Sequence, residues 1–134
     1  FTSPVITFSG LEDDVLKQKG FYDLVGNVWG KPASNEVVYR GLFAHSSLLE
    51  GGYAYADTAS AGSATFSIQR GSVSASTSSY TQVGTITFAA GNSVGSVNLT
   101  PTSFSTGSVL RVIAPSAQDN TLANVVFGIR GTEA

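Results

Sequence analysis

Cysteine and methionine are both absent from this chain, and histidine and tryptophan occur once each. Without cysteine there can be no disulfide, no thiolate nucleophile and no Cys-based zinc or iron–sulfur centre, while the redox compartment stays open. No run of about 18 apolar residues occurs, so no membrane-spanning helix is expected, and no basic-then-apolar leader is visible. Starting at Phe1 and lacking methionine, the chain reads as a fragment or processed product whose natural beginning lies upstream.

Charge is also scarce. Only 12% of residues are Asp, Glu, Lys or Arg, about half of the ~25% usual for a soluble domain. The 7 basic and 9 acidic residues form no basic stripe, which argues against a nucleic-acid partner. Yet 42% of the chain is hydrophobic. Either the surface is neutral and rich in hydroxyls, or another subunit covers part of it. The second reading is preferred, because small monomers usually keep a charged surface for solubility.

What is present is mostly scaffold. The 134 residues suffice for one domain with one core. The stretch "SGLEDDVLKQKG" has a capping-box spacing from Ser9 to Glu12, acids in its first turn, Lys17 and Lys19 in its last, and Gly20 as a stop. It predicts a short helix over 10–19, and residues 1–20 are read as a neck or linker. From Phe21 to Ala134 the periods are those of strands. Eight are expected, around 21–29, 36–44, 48–56, 64–70, 84–88, 94–99, 108–115 and 122–131. Gly-, Ser- and Pro-containing turns between them indicate an all-β sandwich or jelly roll. In "GTITFAAGNSVGSVNL" (84–99), Ile86, Phe88, Val97 and Leu99 should fill the core, with Thr85 and Thr87 facing water or a neighbouring subunit. The serine-rich stretch 71–81 is expected to be a solvent-facing loop.

Reactive chemistry is sparse. His45 follows "GLFA", and no G-x-S-x-G elbow surrounds any serine, so it is read as a histidine at a strand end. Glu12, Asp13 and Asp14 lack the spacing of a calcium loop and read as a solvated helix turn. No catalytic residue, metal site or cofactor is expected. Trp29 and tyrosines 22, 39, 53 and 55 could stack on sugars, although aromatics in strands more often serve cores or interfaces. Tyr53 and Tyr55 share a strand face and are the best such candidates. Arg40, Arg111 and Arg130 interrupt otherwise apolar strands, where a guanidinium needs a carboxylate or anion nearby. They are read as plain outward-facing residues, as partners of carboxylates across a subunit interface, or as ligands for a small anion there. Asn98-Leu99-Thr100 matches a glycosylation sequon, but it falls inside a strand and is discounted.

The stretches "GKPASNEVVYR" (30–40), "ATFSIQRGS" (64–72), "VGTITFAAGNSVGSVNL" (83–99) and "FSTGSVLRVIAPSAQDNTLANVVFGIRGT" (104–132) resemble the C-terminal head, or knob, of tailed-bacteriophage tail needles and tail fibres. The family's usual form has a short turn after "FSI"; here "RGSVSASTSSYTQ" is longer and serine-rich. The resemblance implies a homotrimeric jelly-roll or TNF-like β-sandwich carried on an upstream coiled-coil stalk of the same chain. It further implies a non-enzymatic role at the virion's tail tip, contacting a host cell-surface receptor or the outer envelope after assembly in the host cytoplasm. Burial in a trimer would account for the low charge. The competing expectation is a monomeric carbohydrate-binding module of β-sandwich type, working through Tyr53, Tyr55 and Trp29.

Overall fold

The computed structural model describes residues 20–74 and 79–133. The helical neck expected over 10–19, and the acidic cluster in it, lie outside the described residues. Among the described residues there are nine antiparallel strands: β1 (Phe21–Val28), β2 (Val37–Leu42), β3 (Ser47–Thr58), β4 (Ala64–Ser72), β5 (Thr81–Phe88), β6 (Val94–Leu99), β7 (Thr102–Phe104), β8 (Ser108–Ile113) and β9 (Ala123–Glu133). Eight match the expected set. The addition is β7, three residues after a proline that pair with Ser47–Leu49 of β3. It is too short to show a period, so alternation alone could not announce it.

The strands pair in nested fashion, β1 with β9, β2 with β8, β3 with β6 and β4 with β5. This is one long hairpin rolled up on itself, the topology of a jelly roll. The hydrogen-bonded path β1-β9-β3-β6-β5-β4-β8-β2 turns at the β5–β6 hairpin into two four-stranded layers, and the end strands β1 and β2 come back into contact.

Alternation explains which face goes inward. In β4, Ala64, Phe66 and Ile68 are buried between polar neighbours, and Ile86 and Phe88 do the same in β5. The core is aromatic at its centre. Phe66 and Phe88 meet edge-on at 6.2 Å, Tyr39 meets Phe127 edge-on at 5.7 Å, and Phe43 stacks on Phe104 of β7 at 4.8 Å. These geometries suit the ring quadrupoles. Leu99 is buried as expected, whereas Val97 is only half-buried, in a shallow depression shared with Val83 and Thr100. At the open end of the sandwich, Arg70 donates from Nη1 to the Ser103 carbonyl at 2.8 Å, tying β4 to β7. Every buried polar side-chain atom among the described residues has a hydrogen-bond partner.

Candidate functional site

The outer face of the β1-β9-β3-β6 layer carries an apolar patch. Register places Val25, Gly128, Tyr53 and Ser96 in one cross-strand row, and Asn27, Val126, Tyr55 and Val94 in the next. Ala54, Ala56, Val125 and Phe127 point the other way into the core, so the alternate residues must point outward. Tyr53 is 81% exposed, and Val25, Tyr55 and Val94 are exposed beside it. Gly128 forms the floor of a shallow trough between Val25 and the two tyrosines. A Cβ added there would meet nothing within 4 Å. Trp29, one residue past β1, is 76% exposed and continues the parity of Val25 and Asn27. Tyr22 and Tyr39, also named as possible sugar platforms, instead pack against the core.

A β-bulge sets this arrangement. Between Leu49 and Gly52 the register of β3 against β9 shifts by one residue. Ser47 and Leu49 are buried before the bulge, and Ala54 and Ala56 after it. Unbroken alternation from Leu49 would have put Tyr53 and Tyr55 inside; the extra residue turns both outward.

The three arginines considered together in the sequence separate into two groups. Arg130 faces out from the apolar layer, paired in register with Asp23. Arg40 and Arg111 sit on the other layer, directly opposite each other on β2 and β8. Arg111 donates from Nε to Gln69 Oε1 at 2.6 Å, and its guanidinium lies 3.8 Å above the Tyr80 ring. Neither Gln69 nor Tyr80 stood out in the sequence, since their nearness to Arg111 depends on β4 and β8 being neighbours.

His45 is exposed in the β2–β3 connection. The nearby Ser47 hydroxyl donates to the His45 backbone carbonyl at 3.5 Å and not to the imidazole. Among the described residues no three His, Asp or Glu side chains gather as a metal site would require.

On the rim, Asp119 clasps two loops. Its Oδ1 accepts from the backbone N–H groups of Ala61, Thr121 and Leu122, and its Oδ2 from that of Gly62, all at 2.9–3.0 Å. Desolvation works to raise its pKa, but the N–H donors of Ala61, Gly62, Leu122 and Thr121 together outweigh it and hold the carboxyl well below the ordinary range.

No protein-family model matches the chain. No curated protein matches it either. Among solved structures, the chain is similar to Eiger TNF from S. frugiperda, at 7% identity and a TM-score of 0.47, over 84% of this chain and 92% of that one. The jelly-roll description rests on the strand order itself.

Proposed function

We propose that the chain is the non-enzymatic, homotrimeric head of a larger fibrous protein, with a structural and host-contact role at the tip of a phage tail needle or fibre. The observation that carries self-association is the outward patch of Val25, Tyr53, Tyr55, Val126 and Val94 on two adjacent cross-strand rows, with no charged residue in either row. Faces of this kind on small proteins mark interaction sites. Covering this one with further copies would account for the low share of charged residues, 12% of the chain. Threefold symmetry, the stalk upstream of residues 1–20, the virion location and the receptor contact rest on the resemblance to tail-tip heads. The jelly-roll topology is consistent with such a head.

The deciding measurement is molar mass by light scattering. The expected result is three times the 13.8 kDa of the chain at micromolar concentration, falling to one copy in Tyr53→Arg. A stable monomer of the unaltered chain overturns the reading. Host contact is tested by adsorption of labelled protein to intact bacteria, where failure across a wide panel removes that part.

A second reading has an observation of its own. The Tyr53 row continues through Ser96, Thr87 and Thr65, so a bare tyrosine borders a line of hydroxyls, as a sugar-binding surface would need. A monomer whose glycan binding depends on Tyr55 would favour this carbohydrate-binding module.

A further inference from the structure

The layer opposite the apolar face presents a different chemistry. Arg40 and Arg111 are direct cross-strand partners, so their side chains leave the same face with Cβ atoms about 5 Å apart. Like charges in that position repel each other unless an anion lies between them. The row continues through Gln69 and Gln82 of the neighbouring strands, so it supplies polar length and no negative charge.

The two arginines are held very differently. Arg111 is pinned: Gln69 takes its Nε at 2.6 Å and the Tyr80 ring lies under its guanidinium. Tyr80 is itself seated on Gly71, where an added Cβ would come within 2.7 Å of the ring. Arg40 is exposed, and its side chain makes no ion pair or hydrogen bond with a described residue. Beside it runs a cleft lined by Arg40, Leu42, Val109, Tyr80, Ser72 and Val73. The cleft therefore combines a guanidinium, an aromatic ring and three aliphatic side chains.

We propose that this cleft binds an acidic sugar through its carboxylate. Arg40 makes the bidentate ion pair for which a guanidinium fork is shaped. Arg111, on the neighbouring strand and held by Gln69 and Tyr80, lies beside the cleft and adds to the positive potential there. Leu42 and Val109 cover the apolar face of the sugar ring. A bare inorganic anion would leave the aliphatic lining uncovered. A nucleic acid would need a positive stripe that 7 basic residues against 9 acidic ones do not make. The proposal is independent of self-association, because the cleft lies on the other layer.

The test is an NMR titration of the isotope-labelled full chain with D-glucuronate, D-glucose and acetate as separate probes. Glucuronate is expected to shift the amides of Arg40, Leu42, Ser72 and Val109, glucose to shift none of them, and acetate to bind at least about tenfold more weakly. Arg40→Gln should weaken glucuronate at least about tenfold, Arg40→Lys should fall between, and added salt should weaken all binding. Molar mass and melting temperature should stay those of the unaltered chain in both variants, since Arg40 is exposed. Absence of glucuronate shifts, equal shifts with glucose, equal affinity for acetate, or an Arg40→Gln variant that binds as before would each overturn the assignment.

Discussion

Asp119 sits at the rim of the sandwich, and its carboxylate accepts four backbone N–H bonds from two connections, β3–β4 and β8–β9. The Thr121 hydroxyl, with one proton to give, donates it to the Ala59 carbonyl at 2.7 Å and so reinforces the same clasp. Next to it, Leu122 is buried, so the clasp also holds a core side chain in place. Removing the carboxylate in Asp119→Ala should cost about 1–2 kcal/mol at neutral pH, the low end for charge-assisted bonds because the site is partly solvated. Urea denaturation measures this directly. The sign of the pH dependence follows from the depressed folded-state pKa. The contribution is complete above the unfolded-state value of about 3.9 and is lost as pH falls from there toward the folded-state value. Below about pH 4 the unaltered chain should therefore lose stability faster than Asp119→Ala, and the two curves should converge. A gap that stays constant down to acid unfolding would mean that the carboxylate is not the clasp.

At the scale of elements, β3 is the strand that assigns faces. It borders β9, β6 and β7, and its bulge decides that Leu49 is core while Tyr53 and Tyr55 are surface. Gly52 makes the bulge possible: its φ is 151°, and a Cβ there would collide with the Gly128 carbonyl. Backbone cannot yield as a flexible side chain would. Gly52→Ala should accordingly destabilise the fold by about 2 kcal/mol or more, read as a lowered denaturation midpoint. Gly128, on the next strand, makes the opposite case. Space above it is open, so Gly128→Leu should keep the monomer's stability while filling the trough between Val25 and the tyrosines. If that face is the subunit contact, the variant should dissociate. A trimer of unchanged mass would place the contact elsewhere. Within the core, Phe66→Ala removes a fully buried ring and should cost about 3–5 kcal/mol.

For the whole molecule, the nested pairing brings the two ends of the described chain together, Phe21 opposite Thr132. Most strand contacts join segments distant in sequence, so folding should be slow for the chain's size, in the millisecond-to-second range of β-sandwiches. If copies associate through the apolar face, mass action ties stability to concentration. The melting temperature should then rise as the chain is concentrated across about two decades in the micromolar range, and Tyr53→Arg should abolish that rise. A concentration-independent melting temperature in the unaltered chain would speak for the monomeric reading.

Alternation in "ATFSIQ", "GTITF" and "NVVFGIR" determined by itself that these segments are strands, and in "GTITF" that Ile86 and Phe88 are core. A period of two is a local property, legible wherever one face is buried and the other wet. The pairing of Tyr53 with Tyr55 on one face was equally local. Which face they took was not, because the bulge that turns them outward exists only where β3 meets β9. Arg40 and Arg111 looked alike in the sequence and so did Arg130. Only the rolled topology set the first two side by side and carried the third to the opposite layer. Asp119, β7 and the Tyr80 support of Arg111 stayed illegible for the same reason. Sequence periodicity reports which residues avoid water, whereas the partners of a charge or a ring are chosen by register between strands far apart along the chain.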